Sequence, residues 1–129
     1  MPRHIPQITP GITGLVAVGG TAGAGIRWAV LTLGPSTTFP WSVLAVNLVG
    51  CAILGVLVGR GVHHNARLLL GTGFCGGLTT FSTFTVEAAQ LMRGEHLGMA
   101  ATYLIASVVG GLVCFDRART MAMANGAAT

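Results

Sequence analysis

Residues 76–84 read GGLTTFSTF and lie in the middle of an otherwise apolar segment. Two adjacent glycines, four hydroxyl side chains and two phenylalanines three residues apart are unusual for a helix within a bilayer. Glycine and threonine loosen a helix locally, and non-helical backbone at membrane depth is tolerated where it is buried in protein or lines a polar cavity. The stretch therefore predicts a helix that is broken at its centre, at a place where the chain lines a path or holds an ion.

The composition places the chain in a membrane. Of 129 residues, 52% are hydrophobic and 8% are charged, whereas a soluble domain carries about 25% charged residues. A bilayer is crossed by about 20 apolar residues, and the charged residues divide the chain into four segments of that length. We predict an all-α integral membrane protein with four transmembrane helices in a single domain, residues 1–129. The predicted spans are residues 11–33, 39–60, 66–90 and 96–117, and we expect an irregular tail from Thr120.

The charged side chains indicate how the chain crosses the membrane. Seven arginines and no lysines oppose three acidic residues, which are too few and too scattered for a nucleic-acid surface. With four spans, both termini share a side with the second loop, so five arginines lie on one side and two on the other. The five are Arg3, Arg60, Arg67, Arg117 and Arg119, and the two are Arg27 and Arg93. Positive loops prefer the cytoplasm, which favours cytoplasmic termini.

Two polar residues in the first two spans allow two interpretations each. Asn47 lies at the centre of the second span, where its amide either bonds a neighbouring helix or points an NH₂ donor into a pore. Arg27 follows the run GGTAGAGI at the end of the first span. Its side chain either snorkels to the interface or forms a positive vestibule that attracts an anion.

The third and fourth spans carry further candidate lining residues. Phe81, Phe84 and Glu87 follow one another at i, i+3 and i+6, which places them on one stripe of a helix. Ser82 and Thr83 lie beside this stripe, and in the fourth span Tyr103 and Ser107 share a face at i and i+4. Phenyl edges can face an anion, and carbonyl oxygens freed by a break bind hard cations.

Together these residues form a lining that is rich in hydrogen-bond donors and poor in charge. Such a lining suits a small anion, which must exchange its hydration shell for hydrogen bonds. A cation path would want carboxylates or rings of carbonyls, and Glu87 at a span end is the one carboxylate candidate. No span carries a nucleophile paired with a base, so we predict that the chain is not an enzyme.

Three motifs resemble a known family. The runs GGTAGAGIRW at residues 19–28, VNLVG at residues 46–50 and GFCGGLTTFSTFTVE at residues 73–87 resemble the small bacterial fluoride channels called Fluc or CrcB. The resemblance covers nearly the whole chain apart from its tails. It implies a passive, fluoride-selective channel in the lipid of the bacterial inner membrane, which exports cytoplasmic fluoride and gives fluoride resistance. It also implies an antiparallel, dual-topology dimer with two pores and a structural sodium ion at its centre.

The resemblance also implies roles for individual residues. Backbone carbonyls of Gly76 and Thr79 from each subunit would hold the sodium ion. Phe81 and Phe84 would edge the pores, and Asn47 would be the pore-facing amide. Further implied positions are Ser82 and Thr83 beside the phenyl rings, Tyr103 and Ser107 at the start of a polar track, and Arg27 in a vestibule. We also predict Glu87, the last residue of the third motif, as a residue of the fluoride pore.

Two positions depart from the family pattern. Val43 stands where the family often has threonine, and Gly111 stands where the polar track often continues with serine. These changes would lower conductance, or a different partner subunit would complete the pore. A homodimer, a heterodimer with a second similar chain, and a non-conducting subunit of such a heterodimer all stay open. The alternative from another class is a small four-span proton-coupled multidrug exporter, which needs a carboxylate in its first span, and residues 11–26 contain none.

Overall fold

A computed structural model describes residues 9–126, so Arg3 lies outside the described residues. Within that range the chain is helical and has no strand, which confirms the all-α prediction. The helices are α1 (Pro10–Leu33), α2 (Trp41–Gly59), α3 (residues 64–78), α4 (Phe81–Arg93) and α5 (Leu97–Gly126). Helix α3 consists of the consecutive segments His64–Ala66, Arg67–Cys75 and Gly76–Leu78, and the middle segment is a π-helix.

Within residues 9–126, three helices are long and apolar enough to cross a membrane. They are α1, α2 and α5. The predicted spans 11–33 and 39–60 fall on α1 and α2. The predicted span 66–90 falls on α3 and α4, which are separate shorter helices joined by Thr79 and Thr80.

Helix ends follow from local sequence. Thr9 caps α1 by accepting a hydrogen bond from the Ile12 amide at 3.5 Å, and Pro10 occupies the first turn, where its missing N–H costs nothing. Pro40 directly precedes α2. Gly61 has a φ of +58° in the turn after α2, a conformation that glycine adopts without a steric penalty.

The helices pack as two parallel pairs, α1 with α3 and α2 with α5. In the first pair, a Cβ on Gly19 would collide with the Leu69 carbonyl oxygen, and a Cβ on Gly23 would collide with that of Phe74. In the second pair, a Cβ on Gly55 would collide with the Phe115 carbonyl oxygen. Both pairs therefore rely on glycine to bring two backbones into contact, as is common between membrane helices.

The short helix α4 packs against α5, and a buried cluster fills the space between α2, α4 and α5. Tyr103 has no exposed surface and is the largest fully buried side chain of residues 9–126. The other buried members are Val43, Leu44, Ala88, Leu91 and Ala100.

Helix α5 continues to Gly126, so the expectation of an irregular tail from Thr120 is wrong for residues 120–126, and residues 127–129 lie outside the described residues. The Thr120 hydroxyl donates to the Asp116 carbonyl at 2.8 Å, and Ala122 is 95% buried, beside Gly59 of α2. Alanine and methionine are strong helix formers, and the tail contains several of them. Packing on α2 therefore extends the helix beyond the apolar segment.

Candidate functional site

Thr79 and Thr80 interrupt the helix between α3 and α4. Their φ and ψ angles are −80° and 157° for Thr79 and −146° and 121° for Thr80, both extended. The Thr79 hydroxyl donates to the Cys75 carbonyl at 2.9 Å, which closes the end of α3. The Thr80 hydroxyl accepts from the Thr83 amide at 3.2 Å, which caps the start of α4. The break therefore lies inside the GGLTT run, as the sequence predicts.

Asn47 of α2 binds both backbone groups of Thr80. The Thr80 amide donates to Asn47 Oδ1 at 2.9 Å, and Asn47 Nδ2 donates to the Thr80 carbonyl at 3.2 Å. A buried backbone group without a partner is costly, so this pair of bonds lets the chain leave the helix at Thr80. Asn47 therefore forms the hydrogen bonds to a neighbouring helix segment that the sequence allowed. The bond to the Thr80 carbonyl uses one of the two N–H donors of Asn47, which leaves the other N–H for a ligand.

Arg27 of α1 reaches the same break from the other side. Its Nη1 donates to the Thr79 carbonyl at 2.9 Å, and the side chain is half-buried. The guanidinium therefore lies beside the break, whereas snorkelling would carry it to the interface. Helix α4 begins at the break and has 13 residues. The Arg27 guanidinium therefore lies about 20 Å, measured along α4, from the far end of that helix.

Two backbone oxygens beside the break are candidates for a hard cation. The Thr80 amide, which would bond the Gly76 carbonyl in a continuous helix, bonds Asn47 instead. Gly76 is exposed, and a Cβ there would meet nothing within 4 Å. The Thr79 carbonyl has a second lone pair but already accepts from the positive Arg27. Carbonyl oxygens suit a hard cation such as sodium, and one of these two oxygens already accepts a hydrogen bond from the positively charged Arg27.

An open cavity of about 480 Å³ lies against the break. It is mostly apolar, and its lining includes six residues that the sequence singled out, namely Asn47, Gly76, Thr79, Phe81, Phe84 and Ser107. Thr72 and Thr80 add two further hydroxyl side chains to the lining. We call this space the break cavity. The structure therefore gathers six of the predicted site residues around one cavity.

A line of aromatic rings leads from the break cavity into the core. The ring centroids of Phe81 and Phe84 are 5.8 Å apart, and those of Phe84 and Tyr103 are 5.3 Å apart. Phe81 is 77% exposed in the single chain. Tyr103 also contacts Phe39, edge to face, at 5.8 Å.

Two hydroxyls on α5 are buried and have no hydrogen-bond partner in the described part of the chain. Tyr103 Oη and Ser107 Oγ are both inaccessible, and neither has a hydrogen-bond partner among residues 9–126. Leaving a buried hydroxyl unpaired costs about 1–3 kcal/mol. Their positions at i and i+4 place them one turn apart on the same face. Such a pair needs water or a ligand as its acceptor.

Glu87 and Thr83 lie at a different cavity. This second cavity of about 270 Å³, which we call the loop cavity, lies under the α1–α2 connection and is also lined by Phe39, Ser42 and Val43. Phe39 of the loop cavity and Phe84 of the break cavity both contact the Tyr103 ring. Tyr103 therefore lies between the two cavities.

The hydroxyls of Ser82 and Thr83 both lie within hydrogen-bond distance of the Thr80 hydroxyl. Thr80 Oγ1 donates to Thr83 Oγ1 at 3.0 Å and lies 3.3 Å from Ser82 Oγ. Sequence reasoning missed Thr80, which is 92% buried and connects Asn47 with the first turn of α4. A signal was present, because threonine three residues before Thr83 occupies the position of a helix N-cap.

The two departures from the family pattern lie in packed positions. Val43 is 97% buried, in the core and on the wall of the loop cavity. Gly111 is buried, and a Cβ there would lie 3.3 Å from Cys51 Sγ. A serine at this position would therefore crowd Cys51.

Comparisons with known proteins find relatives over most of the chain. Residues 14–116 match the family described as CrcB-like protein, Camphor Resistance (CrcB). A protein named Fluoride-specific ion channel FluC from Novosphingobium aromaticivorans is 42% identical over 109 residues, covering 78% of this chain and 86% of its own length. Fluoride-specific ion channel FluC 2 from Rhodococcus jostii is 46% identical over 99 residues, covering 76% and 87%. Fluoride-specific ion channel FluC from Rhizobium etli is 48% identical over 105 residues, covering 73% and 82%.

Proposed function

Since this chain belongs to the CrcB family, we propose that it is a fluoride-selective channel that lets fluoride leave the cytoplasm passively and so gives fluoride resistance. Its apolar helices make it a multi-pass protein of the bacterial inner membrane. The relatives are named as ion channels, which supports the prediction of a non-enzymatic protein and gives the exporter alternative no support.

The observation that carries this proposal is the pair of unpartnered hydroxyls on α5. Tyr103 Oη and Ser107 Oγ are buried donors with no acceptor among the described residues. Fluoride is small and strongly hydrated, and it must receive O–H or N–H bonds to replace its water. A lining that offers donors and carries no positive charge of its own binds the anion without holding it too tightly.

The two cavities suggest a route. Fluoride enters the break cavity, where the remaining Asn47 N–H and the ring edges of Phe81 and Phe84 face it. It passes the hydroxyls of Ser107 and Tyr103 and reaches the loop cavity beside Thr83. Glu87 at the loop cavity repels the anion and favours its release. An inside-negative potential drives the anion outward by about 2.3 kcal/mol per 100 mV.

The pore needs a second subunit. The break cavity is open on one side, and Phe81 is 77% exposed at its edge. We propose four crossings per subunit, with α3 and α4 forming the third, and an antiparallel dimer with two pores. The second subunit covers the break cavity and removes Phe81 from lipid.

The same arrangement brings two helix breaks together at the dimer centre. Gly76 and Thr79 of each subunit would hold one sodium ion through their backbone carbonyls. The ion would supply fixed positive charge near the pores. Asn47 supports this site by keeping the Thr80 amide away from the Gly76 carbonyl.

Fluoride and chloride efflux from liposomes tests the proposal, with ion-selective electrodes and sodium on both sides. We expect fluoride efflux without chloride efflux, and a loss of at least tenfold in the double variant Tyr103→Phe, Ser107→Ala. Thr102→Val is the matched control, because the Thr102 hydroxyl is exposed and donates to the Gly98 carbonyl at 2.9 Å. Unchanged fluoride efflux in the double variant would exclude these hydroxyls from the route. No efflux from folded protein would favour the non-conducting subunit of a heterodimer.

A further inference from the structure

The three cysteines of the chain lie near one another in the fold, although they are far apart in the sequence. Cys51, Cys75 and Cys114 belong to α2, α3 and α5, and all three are free thiols. Electrostatic interactions link the Cys51 thiol with those of Cys75 and Cys114. Cys51 and Cys75 both line the break cavity, and Cys114 does not. The break cavity therefore has two thiols on its wall, one from each of two helices.

Contacts between α2 and α3 place these two cysteines at the same level of the bundle. A Cβ on Gly50 of α2 would collide with the Thr79 side chain at the end of α3. A Cβ on Gly71 of α3 would lie 3.6 Å from Leu54 Cδ1 of α2. The two helices are therefore antiparallel here, and each cysteine lies between the two contact residues of its own helix. The two side chains thus share one side of the cavity rather than its two ends.

A pair of thiols at one level suits a soft monovalent cation. Structural zinc and iron–sulfur centres use four ligands, whereas two thiolates match the linear coordination that copper(I) adopts with sulfur. Thiolate is the ligand type that selects copper(I) from the other metal ions of the cell. Silver(I) has the same charge, the same filled d shell and the same preference for sulfur. Hard cations such as sodium prefer oxygen, so this chemistry is separate from that of the carbonyls at the break.

We propose that Cys51 and Cys75 bind one soft monovalent cation, copper(I) or its analogue silver(I), on the wall of the break cavity, and that the bound ion blocks fluoride efflux. Each thiol loses its proton to solvent as its sulfur bonds the metal, so one cation displaces two protons. The resulting bis-thiolate complex has one net negative charge. It occupies part of the cavity and repels an anion there. The block rests on the proposed fluoride route, whereas the metal binding does not.

Arg27 supplies positive charge beside this site. Its guanidinium is bonded to the Thr79 carbonyl at 2.9 Å, and Thr79 lines the break cavity together with the two cysteines. A fixed positive charge near the cavity favours the negatively charged complex over the two neutral thiols. The surroundings therefore support loss of both protons when the metal binds.

Equilibrium dialysis against silver nitrate in chloride-free buffer tests the binding. The full chain is reduced, desalted and held in detergent, and excess free methionine in the buffer competes for weak sites on the exposed Met121 and Met123 thioethers. We expect one silver ion per chain and, in weakly buffered solution, two protons released per ion. Loss of all bound silver to free methionine, or binding without proton release, would overturn the inference.

Single serine variants locate the site. Cys51→Ser and Cys75→Ser each leave one of the two sulfur ligands, so we expect silver affinity to fall about tenfold or more. Cys114→Ser is the matched control, because Cys114 is half-buried like Cys51 but lies outside the break cavity, and it should bind silver as the unmodified chain does. If Cys75→Ser does not fold, Cys75→Ala keeps an apolar side chain at this buried position. Unchanged affinity in Cys51→Ser, or an equal loss in Cys114→Ser, would contradict the assignment.

Fluoride efflux with and without silver separates this inference from the proposed function. In chloride-free liposomes, one equivalent of silver should lower efflux about tenfold for the unmodified chain and for Cys114→Ser, and added dithiothreitol should restore it. For Cys51→Ser, the ratio of efflux with silver to efflux without silver should stay near one. Efflux that ignores tightly bound silver would overturn the block. Absence of fluoride efflux before silver is added would contradict the proposed function, and dialysis would still decide the metal site.

Discussion

Asn47 and Thr80 are joined by two hydrogen bonds, one to the amide of Thr80 and one to its carbonyl, at 2.9 Å and 3.2 Å. The side-chain amide thus replaces the helical bond that the Thr80 amide gives up, and it adds a bond to the Thr80 carbonyl, which also begins helix α4. Asn47 can serve both as a structural residue and as a pore-facing donor, because its bond to the Thr80 carbonyl uses only one of its two N–H groups.

Asn47→Asp should destabilise the protein. A carboxylate still accepts from the Thr80 amide but cannot donate to the Thr80 carbonyl, and it places a negative charge beside that oxygen at a half-buried position, so we expect a loss of about 1–3 kcal/mol. Thermal unfolding in detergent should show a lower midpoint. Asn65→Asp, at an exposed position in α3, should leave the midpoint unchanged. An unaltered midpoint for Asn47→Asp would mean that the two bonds to Thr80 contribute nothing.

Arg27→Gln should raise the apparent affinity for sodium, if the carbonyls of Gly76 and Thr79 hold that ion. The substitution removes a positive charge that touches one proposed ligand oxygen, and like charges oppose binding at short range. Fluoride efflux in a sodium titration should reach its half-maximum at a lower sodium concentration. Arg93→Gln, exposed at the far end of α4, is the control. A higher sodium requirement in Arg27→Gln would count against a shared ligand.

Phe81→Ile should reduce fluoride efflux strongly while the protein still folds. The side chain is 77% exposed beside the break cavity, so its loss costs little packing within the chain and removes a ring edge from the route. Phe115→Ile makes the same chemical change on α5, away from both cavities, and should retain efflux. Equal efflux in the two variants would remove Phe81 from the pore.

Gly19→Ala should destabilise the protein by about 1–3 kcal/mol, the usual cost of forcing an extra group into a packed contact. Its Cβ would collide with the Leu69 carbonyl oxygen, so α1 and α3 would have to separate. Gly14→Ala on the same helix meets nothing within 4 Å and should be neutral or stabilising, by up to about 1 kcal/mol. Unfolding midpoints of the two variants test this, and equal midpoints would show that the two helices can separate freely.

The helix break could be predicted because its cause is local. Two glycines followed by two threonines weaken a helix whatever surrounds them. The partners of Arg27 and Asn47 could not be predicted, since Thr79 and Thr80 lie more than 30 residues away along the chain and meet them only after folding. Sequence spacing alone left the roles of both side chains open.

Two other features depend on tertiary packing. Glu87 shares a helical stripe with Phe81 and Phe84, yet it lines a different cavity, and the buried Tyr103 ring contacts one residue of each cavity, Phe84 and Phe39. The charged residues Asp116 and Arg117 end an apolar segment, yet α5 continues past them because Ala122 packs beside Gly59. Composition shows where apolar sequence ends, and a helix can continue beyond that point.

The polypeptide changes helix partners at Thr79 and Thr80, since α3 packs on α1 whereas α4 packs on α5. A shift of one helix pair against the other would therefore change the backbone angles of these two threonines, as well as the connections at residues 34–40 and 60–63. Arg27 of the first pair donates a hydrogen bond to the Thr79 carbonyl. Asn47 of the second pair donates a hydrogen bond to the Thr80 carbonyl. The two helix pairs are thus tied to the same two-residue connection, each through one side chain.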